Sequence, residues 1–293
     1  MTGETTGQDT PPNTMTADAA YLSRIQPPWW SSGRTPEHMD LSSWMPPVIN
    51  QGQVPLCTAA VTTAIAGYYA RRAERVEFTG SVLFNYRLSR VLAGSADRKG
   101  SRLEHSFRAW AESGLCEEAA WPYDQHGLTR VDRDPPEHCR AIARRTRPVM
   151  RRLSNPDGAS ALDLARRAIA RGIPVSVEIR LCPSISMSLV NGGVIPVQMT
   201  TEQSVGPHVV LLTGYDDHVD TAPYDRGTGP GAFQVRNSWG TQWGDKGYGL
   251  LPYAFLEEQL AGEHWIVVEQ DWVKLVTITA VAQPTLCSAP SAS

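Results

Sequence analysis

The sequence predicts an α+β protein of two lobes, with helices in the first half and strands in the second. Three observations carry this. Apolar residues after position 57 recur with helical spacing at Val61, Ala64, Ile65, Tyr68 and Tyr69. From Val175 the period changes to two, with Val175, Val177, Ile179 and Leu181 alternating along one strand. A chain of 293 residues with 41% hydrophobic content is long for one small domain and can bury the cores of two closely packed lobes.

Taken in order, residues 1–38 are rich in Thr, Pro, Ser and Gly and read as a flexible tail. Within it, Trp29 and Trp30 are costly to leave in water and are expected to dock on the body for stability. The main domain is expected over 39–279, its helical lobe over about 50–155 and its β-rich lobe over about 156–279, with a mobile tail at 280–293. A helix follows Cys57, and a second spans Ser81–Leu92. A third is opened by a capping box, Ser101 to Glu104, carries Leu103, Phe107, Trp110 and Ala111, and stops at Gly114. Glu117–Pro136 reads as an irregular loop, and the arginines from Arg140 to Arg152 as a solvated basic face. Ser160 and Asp163 open a further helix, closed by Gly172. Strands are expected around Val175–Leu181, His208–Thr213, Ala232–Asn237 and His264–Val268, with His218–Gly231 as a long hairpin loop.

A formal net charge of −3 gives no reason to expect nucleic acid or an anionic membrane as partner. The first residues have neither the basic start nor the apolar core of a secretory signal, and no apolar stretch is long enough to span a bilayer, so a cytoplasmic location is the expectation. Five cysteines without regular spacing suggest no disulfide framework, and Cys116, Cys139 and Cys182 read as reduced, partly buried thiols. His138-Cys139 lacks a partner pair at zinc-site spacing, so neither metal nor cofactor is expected. Oligomeric state is left open.

The chemistry concentrates in three separated motifs. In NQGQVPLC, Cys57 precedes a helical run. At a helix N-terminus the peptide dipoles and unpaired N–H groups favour thiolate over thiol, which predicts a lowered pKa and a reactive sulfur. Gln51 stands six positions earlier (57 − 51), and Gly52 lets the backbone bend so that the Gln51 amide reaches a developing oxyanion together with the Cys57 N–H. GPHVVLLTGYDD carries His208 at the start of a strand, and VRNSWGTQWG carries Asn237. In this order Cys57, His208 and Asn237 form the thiol version of nucleophile, base and orienting group.

On these motifs the chain resembles a papain-family cysteine peptidase over about Leu41 to Trp272. The family's roughly 130–150-residue gap from Cys to the later residues compares with 208 − 57 = 151 and 237 − 57 = 180 here, the second stretched by the insertion at His218–Gly231. DLSSWMPPVINQG, FTGSVLFNYRLSR, SGLCEEAAWPYD and NGGVIP are most similar to the stand-alone bacterial branch without a pro-segment. The resemblance implies a papain-like fold, with the cysteine on the helical lobe, His and Asn on a barrel-like β lobe, and the cleft between them. It implies Trp239 and Trp243 covering the His–Asn pair, and substrate contacts from Gly100, Ser101, Pro207 and Trp239. Where the family usually has Gly-Ser before the nucleophile this chain has Pro55 and Leu56, which reshapes the substrate-facing loop. The implied activity is hydrolysis of peptide bonds in a peptide or protein through a cysteinyl acyl-enzyme. An acyltransferase, ligase or cyclase using the same intermediate is the alternative, and an inactive peptide-binding protein a further one. A transglutaminase or arylamine acetyltransferase would place Asp where Asn237 stands.

Overall fold

The computed structural model describes residues 34–124, 130–146, 148–153, 160–198, 201–258 and 261–268. The expected tails lie outside the described residues apart from positions 34–38, and Trp29 and Trp30 lie outside them too.

Helix α1, Cys57–Ala73, is buried on nearly its whole circumference, from Thr58 to Ala70. A helix covered all round belongs to the interior, and its composition allows this. Ala59, Ala60, Ala64 and Ala66 let neighbours approach closely, while the Thr62 and Thr63 hydroxyls donate to the Thr58 and Ala59 carbonyls one turn back. Tyr68 and Tyr69 donate to the carbonyls of Gly172 (2.6 Å) and Val267 (2.8 Å), tying α1 to the β lobe.

Helix α2, Val82–Leu92, is capped by Ser81, whose hydroxyl accepts from the Phe84 N–H. Helix α3, Leu103–Ser113, ends at Gly114 with φ +74°, but the predicted capping box does not form. Arg102 is extended (ψ 151°), so the helix begins a residue later and Ser101 falls outside the cap position. Asn85 and Ser106 exchange two hydrogen bonds in the fully buried contact between α2 and α3.

The remaining helices and strands complete the β lobe. Two elements went unrecognised in the basic stretch: a short helix α4, Glu137–Ala141, and strand β2, Val149–Arg152. Two of the arginines there are paired, Arg144 with Glu74 and Arg152 with Glu263, while Arg140, Arg145 and Arg152 are exposed as expected of a solvated face. Helix α5, Ala161–Ala170, is capped by Ser160 through the Asp163 N–H. Strands β3 (Val175–Leu181), β4 (Gly206–Asp216), β5 (Ala232–Arg236) and β7 (Ala261–Val268) fall where alternation placed them. Strands β1 (His38–Asp40) and β6 (Tyr248–Pro252), and the helical turn α6 (Ala254–Glu257), were not foreseen.

The antiparallel sheet has the order β2-β7-β3-β4-β5-β6, with β1 also on β4. β4 is its axis and is buried from His208 to Tyr215. Gly214 lets β1 close on it, since a Cβ there would sit 2.5 Å from the Met39 carbonyl oxygen. Together the helices and this sheet make the two-lobed α+β arrangement, and α1 packs against β4 where they meet.

On β7, the buried Nε2 of His264 has no hydrogen-bond partner among the described residues. Burial first, and then Arg152, lower its pKa from 6.5 to about 4. The unfolded chain therefore takes up a proton below 6.5 that the folded chain refuses until about 4. This contribution to stability is complete above 6.5 and is lost as pH falls through that window. Urea midpoints measured from neutral pH downwards should fall less steeply for His264→Gln than for the parent; identical slopes would refute the assignment.

Candidate active site

Cys57 is the first residue of α1, and Leu56 before it supplies no side-chain cap. The helix's first N–H groups are thus turned toward the sulfur, and those of Thr58 and Cys57 itself favour the thiolate. The preceding loop is tight. Gly52 has φ +53°, its N–H donates to Asn50 Oδ1 (2.9 Å), and the Leu56 N–H donates to the Val54 carbonyl (2.8 Å). Leu56 does not face substrate as its place in the loop suggested. It is fully buried with Val54, Ala59, Ala60, Val82 and Tyr86, and this hydrophobic anchor holds the loop in place.

Opposite lies the start of β4. β3 pairs with it from Gly206 to Leu212, whereas β5 pairs with it only from Leu211 onward. One edge of β4 is therefore open at His208 and Val209, and the Val209 N–H is among the groups that lower the Cys57 pKa. His208 is only 4% exposed, and its Nε2 lies 2.9 Å from Asn237 Oδ1. The same oxygen accepts from the Ser238 N–H at 2.8 Å. A backbone N–H can only donate, so the oxygen end of the Asn237 amide faces the ring. His208 Nε2 then carries the proton, and the neutral ring keeps its lone pair on Nδ1. Trp239 stacks on His208 with centroids 5.0 Å apart, and Trp243 meets Trp239 edge-on at 5.7 Å while its Nε1 donates to Ser188 Oγ. Trp239 thus lies on the His208 ring, and Trp243 backs Trp239.

Gln51 joins this group through the segment that carries Asn237. The Gln51 N–H donates to the Ser238 carbonyl (2.8 Å) and the Gly240 N–H to the Ile49 carbonyl (3.0 Å), a short antiparallel bridge between the lobes. Ser238 Oγ donates to Gln51 Oε1, and Gln51 Nε2 donates one hydrogen to the Val54 carbonyl at 3.0 Å. The amide is pinned at its oxygen end, and its second N–H remains available beside the cysteine loop. Tyr123 holds the same residue from the other side, its hydroxyl donating to the Gln51 carbonyl at 2.6 Å.

The other expected contact residues are spread along the rim. The Gly100 N–H donates to the hydroxyl of Tyr86, which is itself within electrostatic reach of Cys57. The Ser101 hydroxyl bonds to the Arg102 carbonyl and to none of the residues above, and Pro207 is exposed beside His208. Sequence reasoning passed over Ser238, Tyr123 and Tyr86. Only Ser238 had a signal, as the residue after Asn237 in Asn-Ser-Trp-Gly.

The electrostatics correct one expectation. Burial raises the Cys57 pKa and outweighs the lowering by the N–H groups of Val209, Thr58 and Cys57; Glu178 adds a smaller upward push. Helix position alone does not make this thiol acidic. Burial likewise drives His208 down to about 4 against the opposing bond to Asn237. Each charged form is disfavoured by burial. Among the described residues no three His, Cys, Asp or Glu side chains converge to hold a metal ion, and no helix is long and apolar enough to cross a membrane.

The two-lobed α+β fold, with Cys57 at a helix start and a buried His208 held by Asn237, is that of a cysteine-dependent hydrolase. The chain belongs to the papain family of cysteine proteases, whose profile matches residues 35–255. It is 28% identical over 229 residues to the uncharacterized peptidase C1-like protein L477 of Acanthamoeba polyphaga mimivirus, covering 75% of this chain and 69% of that protein. Among solved structures it is similar to xylellain, a cysteine protease from Xylella fastidiosa. That match has a TM-score of 0.65 and 25% identity, and it covers 80% of this chain and 86% of xylellain. Digestive procathepsin L 3 of the Tenebrio molitor larval midgut shares the fold at TM-score 0.60 and 19% identity, over 81% of this chain and 72% of that one.

In a Cys57→Ala background, which removes the thiolate, the His208 ring should titrate near about 4 by NMR. Adding Trp239→Ala should readmit water and raise that value by about one unit. An ordinary imidazole value before the Trp239 change would show that burial does not control the ring.

Proposed function

We propose that this papain-family peptidase cleaves peptide bonds through a thioester on Cys57, with His208 as base and acid, Asn237 as the orienting group and Gln51 in the oxyanion hole. The observation that carries the reading is the double acceptance by Asn237 Oδ1, from His208 Nε2 and from the Ser238 N–H. It fixes the imidazole with Nδ1 left for the sulfur at the open edge of β4.

The cycle follows from that arrangement. The thiol proton passes to His208 Nδ1, giving thiolate and imidazolium. Sulfur adds to the carbonyl carbon of the scissile bond, and the oxygen takes the negative charge. The free N–H of Gln51 and the Cys57 N–H donate to it; one such donor is typically worth about 2.7–4 kcal/mol in the transition state. Nδ1–H then protonates the leaving nitrogen as the C–N bond breaks, and the acyl group stays on sulfur as a thioester. Water, deprotonated by the now neutral Nδ1, adds to the thioester and releases acid and thiol. Trp239 keeps competing water away from the His208–Asn237 bond throughout.

Intact-mass analysis after treatment with an epoxide thiol reagent should show a single adduct, mapping to Cys57 and absent in His208→Ala. With peptide substrates, Cys57→Ala should abolish turnover. His208→Ala should cost about 10²–10⁴-fold in rate and Asn237→Ala clearly less, because Trp239 also holds the ring. Retained turnover in Cys57→Ala would sink the proposal, and equal losses in the other two would remove the orienting role from Asn237.

A further inference from the structure

Strand β3 buries its second face at Ser176, whose hydroxyl donates to the Trp265 carbonyl (2.9 Å), and exposes it at Arg180. Between them stands Glu178, half-buried. A carboxylate withdrawn from water calls for a partner, yet Glu178 makes no hydrogen bond or ion pair among the described residues. Arg102 and Arg152 are both committed to Glu263, at 3.6 and 3.5 Å, and Arg180, two residues along the strand, is exposed and makes no ion pair with Glu178. Nor does β7 cover it. The register of β3 with β7 shifts between Val177 and Ile179, and the residue against Glu178 is Gly262, where an added Cβ would sit 3.3 Å from Glu178 Oε1.

The strand register places this carboxylate relative to the chemistry. Glu178 pairs with Val209 and Ile179 with His208. Val209 is the residue whose N–H favours the Cys57 thiolate, and the charge of Glu178 opposes it. Side chains alternate across a ladder, so Glu178 and His208 project to opposite faces. His208 protonates the leaving nitrogen and so marks the amine side of the scissile bond. The opposite face takes the acyl side.

We propose that Glu178 is a specificity residue that selects a Lys or Arg side chain on the acyl side of the scissile bond, within about two residues of it, as the reach of an extended chain allows. The inference rests on the peptidase reading above. A cationic side chain would supply the missing partner of Glu178 and would also cancel the unfavourable field that this carboxylate exerts on the Cys57 thiolate.

The test uses the wild-type protein and fluorogenic peptides that differ only by Arg or citrulline, its neutral near-isostere, at each of the first two acyl-side positions. At one position Arg should exceed citrulline by about ten- to a hundredfold in kcat/KM, with the ratio shrinking as salt rises. Glu178→Gln should collapse the ratio toward one, and Glu178→Lys should shift it in favour of Glu-containing peptides. Equal rates for Arg and citrulline in the wild type, or a ratio that survives Glu178→Gln, overturns the proposal. Epoxide labelling of Cys57 separates the two levels. Labelling and cleavage without an Arg preference refute only the role of Glu178, whereas no labelling and no cleavage refute the peptidase reading and this inference with it. The wild-type comparison stands even if Glu178→Gln does not fold.

Discussion

Where β5 stops pairing at Leu211, β4 continues to Gly206 with that edge open, and the N-terminus of α1 occupies the vacancy. A sheet edge offers backbone donors and a helix start offers more. Cys57 lies where the two sets converge, receiving the N–H groups of Val209, Thr58 and its own residue. Much of the surrounding construction serves to hold that junction. Tyr68 and Tyr69 fix α1 to the β lobe, Leu56 anchors the loop before the cysteine, and the bridge between Ile49–Gln51 and Ser238–Gly240 stitches the lobes beside it.

The junction is dry, which sets its chemistry. Both Cys57 and His208 are pushed toward their neutral forms by burial. In the proposed mechanism, transfer of the proton from sulfur to Nδ1 would create two charges, each relieving the desolvation cost of the other, and the two groups would titrate as one unit. Ser238 is central to keeping this unit in register. Its N–H fixes the Asn237 oxygen toward the ring and its hydroxyl fixes the Gln51 oxygen, so one residue sets both the histidine tautomer and the direction of the Gln51 donors.

The fold class, the helix start at Cys57 and the pairing of His208 with Asn237 were legible because each depends on a local signal: period in the chain, a helix start, a short motif. What stayed hidden depends on tertiary context. β2 and β6 carry too little alternation to announce themselves, Arg-rich in one case and glycine-flanked in the other, and exist because β7 and β5 offer them an edge. Ser101 and Glu104 have capping-box spacing, but the extended backbone at Arg102 shifts the helix start by one residue. Leu56 looked like part of a binding loop because nothing in the sequence shows that Val82 and Tyr86 fold over it. The pKa of Cys57 was misjudged for a related reason. The helix terminus is visible in the sequence, whereas the burial that outweighs it is a property of the packed lobes.

On the role proposed for Glu178, site and specificity are coupled. A carboxylate that opposes the nucleophile's charge is a disadvantage in an empty cleft, and a neutral side chain at that position of β3 would leave Cys57 easier to ionise. With a cation bound on the acyl side the balance reverses, since the same charge that hindered the thiolate now holds the substrate and is neutralised by it. Binding energy is then used where it changes the reacting group as well as the affinity, so the gain is expressed in kcat as well as KM. Selectivity of this kind needs no rigid pocket around the whole side chain, only one unpaired charge kept half-dry beside the sulfur by the register of β3 on β4.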